Sequence, residues 1–518
     1  MVRPSRFSAE RFLLKAAGEP EVVPPIVDAH CHAFNGRDLP LDGFLRNFIA
    51  GAVAEKVHGP GEALVRFADP LLGKVTAPLA AFLIGKTLDD AEEEARIDQA
   101  LASDVPLASV SGASAKEIEE LITASVGAGP VAAQVAQVAG RVAAALSIVT
   151  APRYQVTATM LDDYPKVDVF TPALVDFDYW TGRRLKRPPA DAHADLRTQV
   201  RLHSKISLLA LRGLLPTAKE RRSACIHPYV PFNPWRQVKQ GDALEIVKEA
   251  VETHGFVGVK LYPATGFLPT QNGRLEEFQR EGLGEALDGA LEGLYAYCEA
   301  GGVPIQTHAS FSNGFGDDLA WRGSPWGWAE VLEKHGDLRI DFGHFGHMLG
   351  VAAGEIKEKE LLDCLVWAKK IAALMQTHAG VYADLSNSPA GLADPSTSPA
   401  TECPDDDLES AKKAACYPTR YRRFLEVLIK SHPKTAERIL YGSDWWMNAL
   451  DDGRGRFFTR LETFMARGKA ETLSPGFFGV NALAFLGLAD LDGATAKRLR
   501  KFVTERAPGQ VSRLVWDV

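Results

Sequence analysis

At 518 residues the chain could hold two or three average domains, but α/β barrels run this large as single domains, so the pattern must decide the domain count. A hydrophobic fraction of 46% beside 24% charged residues excludes wholesale disorder, and a net charge of -8 over this length excludes a general attraction to nucleic acid or anionic membrane. The partner expected on these grounds is a small molecule, with a homo-oligomer left open.

The N-terminal stretch MVRPSRFSAERFLLKAAGEP contains no apolar core of signal-peptide length, and the apolar stretch from Pro130 to Val149 is interrupted by Gln134, Gln137 and Arg141. Secretion and membrane spanning are both disfavoured. Cys31, Cys225, Cys298, Cys364, Cys403 and Cys416 form no CxxC and no regular spacing, which argues against a thiolate zinc site or a disulfide framework. A cytoplasmic setting with reduced thiols is expected.

Short β-branched runs recur along the chain, each ending in a polar or glycine-containing turn and followed by helical periodicity, the pattern of βα units around a parallel sheet. They are PPIVDAH (24–30), VDVFTPALVDF (167–177), ACIHPYVPF (224–232), FVGVKLY (256–262), VPIQTHA (303–309), LRIDFGH (338–344), VYADLS (381–386) and RILYGSD (438–444). Eight units predict an α/β fold, a (β/α)8 TIM barrel over 1–32 and 167–450, because closure removes both sheet edges. Residues 33–166 are too long for one crossover and carry helical spacing, which predicts a large helical insertion after strand one that rises over the catalytic face. The connection at 388–436 opens SPAGLADPSTSPATECPDDD, an irregular stretch and a candidate lid loop. Residues 451–518 are expected to form helices packed on the barrel, including the apolar FFGVNALAFLGL (477–488).

His30 and His32 lie two residues apart at the end of the first strand, where a period of two points both imidazoles to one side. If that side is the barrel interior, they converge on one ion. His308 closes strand five and His344 closes strand six, at the strand ends where barrels place catalytic groups. His254, His335 and His378 precede strands and are assigned structural roles; His227 reads as a core histidine, and His58, His193, His203 and His432 as solvated. His347, one helical turn beyond His344, is a weaker candidate for the pocket lining.

Asp444 ends strand eight in YGSDWW, where it serves either as a helix N-cap or as a carboxylate ligand able to shuttle a proton. A ligand set of three imidazoles and one carboxylate with an open water position matches Zn2+ best among divalent metals, with Mn, Fe, Co or Ni as alternatives. Lys260 would place an ammonium in the barrel interior, where an unpaired charge is costly. It therefore either pairs with Asp444 or another inward carboxylate, or becomes a carbamate bridging two ions. Arg236 and Arg322 are candidate anion contacts, and Trp180, Tyr262, Trp445 and Trp446 candidate pocket walls.

Taken in order on strands one, four, five, six and eight, DAHCH, VKLYP, THAS, DFGH and YGSDW resemble the amidohydrolase superfamily, and the style of GFVGVKLYP, RIDFGHFG, YADLS and RILYGSDW is similar to its amidohydrolase-related (amidohydrolase-2) branch. The resemblance implies metal-ligand roles for His30, His32, His308 and Asp444. It also implies that His344 binds a second metal or polarises the substrate. The function expected is metal-dependent hydrolysis of an amide, ester or lactone by metal-bound hydroxide, with Asp444 managing the proton. The alternatives are a non-oxidative decarboxylase of an aromatic or enoic acid and, less favoured, a catalytically inactive binding barrel.

Overall fold

The eight predicted runs form the eight positions of one parallel sheet, in the order β1 (Val27–His32), β2 (Val169–Ala173), β3 with β4 (Cys225–Ile226 and Tyr229–Pro231), β5 (Gly258–Leu261), β6 (Ile305–His308), β7 (Ile340–Gly343), β8 (Val381–Asp384) and β9 (Ile439–Leu440). In this computed structural model residues 24–45, 76–126, 130–179, 195–218, 222–279, 282–310, 319, 321–346, 358–388, 417–449, 455–467 and 475–514 are described. The third position is split because Pro228 has no N–H to give to a ladder, so β3 pairs with β2 at Val169 and Phe170, and β4 resumes opposite Ala173. Between β9 and β1 the ring closes through Ala29 N–H to Tyr441 O, 3.0 Å, and Asp444 N–H to His30 O, 2.7 Å. The result is a TIM barrel.

Helices follow the strands, and local chemistry sets their ends. Leu196–Arg212, after β2, starts where the Asp195 carboxylate accepts from Thr198 N–H at 2.7 Å and stops at Gly213, whose φ of 68° only glycine adopts freely. Its buried Leu196, Val200, His203, Ser207 and Leu211 recur every three or four residues, one face of a helix. Pro234–Gln240 starts with proline at its first position behind the Asn233 cap. At the C-terminal end, Val480–Leu486 and Ala494–Arg506 pack Leu483, Phe485, Leu499 and Phe502 into one apolar cluster with Val27, Ala29 and Leu440 of the barrel. Residues 417–431 of the predicted lid segment are helical (Tyr417–Ser431), and 389–416 lie outside the described residues. None of the described helices is long and apolar enough to cross a membrane.

The described part of the 33–166 stretch is helical, with Asp90–Ser103, Ala115–Val126, Pro130–Val149 and Arg153–Asp163, and its apolar side chains belong to the same continuous core as β2, β5 and β6. One buried cation ties it down. Arg153 is fully buried and bonds Asp38, just after β1, at 2.7 Å, Glu93 at 2.7 Å and Asp90 at 2.9 Å. Asp38 itself closes a capping box with Asn35. Removing one member of such a network leaves charge buried without a partner, so Arg153→Ala should lose about 3–5 kcal/mol in urea unfolding. Lys116→Ala, which breaks an exposed pair with Glu120, should lose no more than about 0.5 kcal/mol. Equal effects of the two substitutions would refute this account of the insertion's anchor.

Candidate metal centre

The site begins with a bulge in β1. Asp28 pairs with Phe170 but Cys31 with Pro172, so β1 carries one residue more than β2 over this stretch, next to a proline that cannot donate. The Asp28 carboxylate accepts from His30 N–H at 3.3 Å and Ser443 N–H at 2.9 Å, tying the bulge to the chain after β9. Neighbouring strands approach His30 so closely that only glycine fits. A Cβ on Gly343 would lie 2.8 Å from His30 Cε1, and one on Gly442 2.7 Å from His30 Cβ.

Hydrogen-bond partners fix the imidazole tautomers. His32 Nδ1 lies 3.1 Å from the Ala173 carbonyl and His344 Nδ1 3.2 Å from the Ser386 carbonyl. A carbonyl only accepts, so each Nδ1 carries the proton and each Nε2 keeps its lone pair. His30 Nδ1 is 2.8 Å from Asp384 Oδ2, and its Nε2 is 3.0 Å from Lys260 Nζ. Burial holds all three rings neutral, lowering His30 to about 4 and His32 and His344 to about 3.

Ligand atoms of His30, His32 and Asp444 lie within 4.8 Å of one another, and a second set of His30, His344 and Asp384 is equally tight. Asp444 Oδ1 stands 3.6 Å from His32 Nε2 and is buried with no hydrogen-bond partner. Burial raises Asp444 to about 7 against the pull of Lys260. Burial likewise lowers Lys260 to about 8, opposed by Asp384, Asp444 and Asp341. Asp444 and His344 both hold left-handed backbone, φ 51° and 65°, at their strand ends, the sparsely populated geometry that collects at functional sites.

The other sequence candidates have separate surroundings. His308 belongs to neither tight set; its ring stacks on Tyr262 at 4.2 Å and lies 4.9 Å from the His344 ring. Tyr262, Lys260 and His32 line one cleft together with Phe177, Phe232 and Phe267. Arg236 is directed to Asp176 at 2.8 Å, Asp178 at 3.2 Å and Gln240 at 2.8 Å, and Arg322 to Gly266 O and Glu277, so both guanidiniums are engaged by internal groups. Trp445 is buried and its Nε1 donates to Asp163 at 2.7 Å, while Trp446 packs on Phe34 and Phe44. His227 is a buried histidine bonded to Gly255 O. His203, expected to be solvated, is instead buried on the inner face of its helix. Trp180 and His347 lie outside the described residues.

Sequence reasoning passed over Asp384, Ser386, Gln306 and Asp341. Gln306 accepts from Lys260 at 3.0 Å and donates to Asp341 at 3.0 Å and Ala29 O at 2.7 Å. A signal existed for two of them. Asp384 ends its strand as Asp444 follows its own, and Gln306 shares a strand face with His308.

The amidohydrolase family model matches residues 27–488. The chain belongs to that family. It is accordingly an enzyme of metal-dependent hydrolase or decarboxylase type. No curated protein matches it in a sequence search. Among solved structures it is similar to an uncharacterised TIM-barrel protein from Bordetella bronchiseptica, at 15% identity over 56% of this chain and 68% of that one, TM-score 0.28. It is similar to an amidohydrolase from Burkholderia multivorans with bound HEPES, at 13% identity over 66% and 91%, TM-score 0.36. A protein from Lactobacillus casei described as a metal-dependent hydrolase shows 12% identity over 93% and 96%, TM-score 0.37.

The residues of this amidohydrolase fit a divalent cation. Two neutral imidazoles, one buried carboxylate oxygen lacking any donor, and an excess of acidic over basic side chains form a hard-to-borderline donor set. Because Gly442 admits His30, Gly442→Ala should crowd His30 Cβ, Ser386 Cβ and Asp384 Cγ and weaken divalent-metal affinity on the order of tenfold or more. Metal titration by chelator competition measures this, and unchanged affinity would count against His30 as a ligand.

Proposed function

We propose that this amidohydrolase hydrolyses an amide, ester or lactone bond in a small molecule at a divalent ion held by His30, His32 and Asp444, with His308 as the further ligand candidate and zinc as the best match to the donors. The observation that carries the reading is the buried Asp444 Oδ1, without a partner and 3.6 Å from the lone-pair nitrogen of His32. Such an ion, when bound, supplies Lewis acidity and brings the pKa of water from 15.7 to about 7.

The chain's own groups divide the remaining work. Asp444, whose Oδ1 has no donor, is placed to take up and release a proton at its carboxylate. His344 presents Nε2 as a hydrogen-bond acceptor because its Nδ1 proton is committed to Ser386, so it can orient a water or a substrate hydroxyl but cannot donate to a carbonyl from Nε2. Lys260 lines the cleft and offers a donor to a substrate carbonyl or carboxylate oxygen. The Phe177, Phe232, Tyr262 and Phe267 walls exclude water and accept an apolar group.

His30→Ala and Asp444→Ala should each lose bound metal and turnover while retaining the far-ultraviolet circular dichroism of the barrel; full metal and full turnover in both would end the assignment. Lys260→Ala should keep its metal and lose about 10²–10³-fold in turnover. Halved metal content in that variant would instead establish a lysine-bridged pair of ions. Across candidate substrates, product stoichiometry should show acid with amine or alcohol, or a ring-opened hydroxy acid, and no carbon dioxide. Carbon dioxide released in proportion to substrate would replace hydrolysis with decarboxylation.

A further inference from the structure

Asp384 touches His30, His344 and Ser386, and the reading above gives it no task. It is fully buried at the end of β8, separated from β1 by β9. Its Oδ2 lies 2.8 Å from His30 Nδ1, and its Oδ1 accepts from His344 N–H at 3.0 Å and from Ser386 N–H at 2.9 Å. Ser386 extends the reach: its Oγ is 2.9 Å from Nδ1 of both His30 and His344. One carboxylate therefore grips the ring of His30 and the left-handed backbone of His344 together.

Two roles are open to a carboxylate so placed. As a ligand of a second ion with His30 and His344, it would need His30 Nδ1 to give up its proton, and with it the 2.8 Å bond that Asp384 Oδ2 now accepts. As a hydrogen-bond acceptor it needs no rearrangement, and it directs the His30 Nε2 lone pair to the side of Lys260. A carboxylate behind a ligating imidazole fixes its tautomer and raises its basicity.

We infer that Asp384 is a positioning residue, which holds His30 as the Nδ1–H tautomer with Nε2 toward a single ion and sets the backbone of His344, and that it is not a ligand of a second metal. This rests on the reading of His30 as a ligand. The test is titration of the metal-free full-length protein with Co2+ alone, following the visible absorption band of the bound ion.

Wild type should bind one Co2+ per chain. Asp384→Asn, which keeps the shape and removes the charge, should bind about 10–100-fold more weakly with a shifted band. Ser386→Ala, a smaller lesion in the same network, should weaken binding less and also shift the band, and it carries the test if Asp384→Asn does not fold. Two Co2+ in wild type with one in Asp384→Asn would overturn the inference, as would affinity and band unchanged in the variants beside a wild type that binds. A wild type that binds no Co2+ would overturn both the inference and the metal site beneath it.

Discussion

Charge buried out of reach of bulk solvent is the constraint around which this barrel's centre is arranged. Asp341, Asp384 and Asp444 share the interior with Lys260 and four histidines, all but His32 nearly inaccessible to solvent. Isolated ions in such surroundings cost several kcal/mol each, so every group must be neutralised, hydrogen-bonded or shifted. Asp384 takes the hydrogen-bonded course, and bonds from His30 and Ser386 keep it below the usual carboxylate range although burial pushes the other way. Asp341 takes the neutral course, driven well up by burial and by the Asp384 charge beside it. Asp444 is left short of a donor at Oδ1, the one feature on which its proposed role rests.

The helical stretch between β1 and β2 is built into this arrangement. Its last helix ends at Asp163, which receives the indole N–H of Trp445, and Asn448 Nδ2 donates to the Tyr164 hydroxyl at 3.2 Å. The turn that carries Asp444 is thus buttressed by the insertion, whose own placement depends on Arg153 and Asp38. Specific packing of inserted helices and the geometry of the site are parts of one structure, linked through named bonds.

Much of this was legible in the sequence because period and position are local properties. The eight strand runs, the inward pair His30 and His32, and the strand-end places of His308, His344 and Asp444 all follow from spacing. Partners distant in the chain were not legible. Arg236 looks like a free cation until Asp176 and Asp178 from the β2 end are seen to hold it. Asp384 looks like any polar strand end until the fold sets it against His30. The bulge at Asp28 and the break at Pro228 depend on register between strands, which no single run encodes.

The barrel's closure gives the candidate ion a second significance. Every other neighbouring pair of strands is joined by a ladder, whereas β1 and β9 stand at the ends of the strand order and meet through two backbone bonds and the Asp28 to Ser443 contact. His30 and His32 belong to one side of that seam and Asp444 to the other. A cation shared among them would act as a clasp, adding about 2.7 kcal/mol to the closed state when free metal exceeds its dissociation constant a hundredfold. Loss of the clasp would favour opening at the seam, baring β1 and β9 as edges on which other chains can pair. For this fold, keeping its ion would be a defence against aggregation as well as a condition for catalysis.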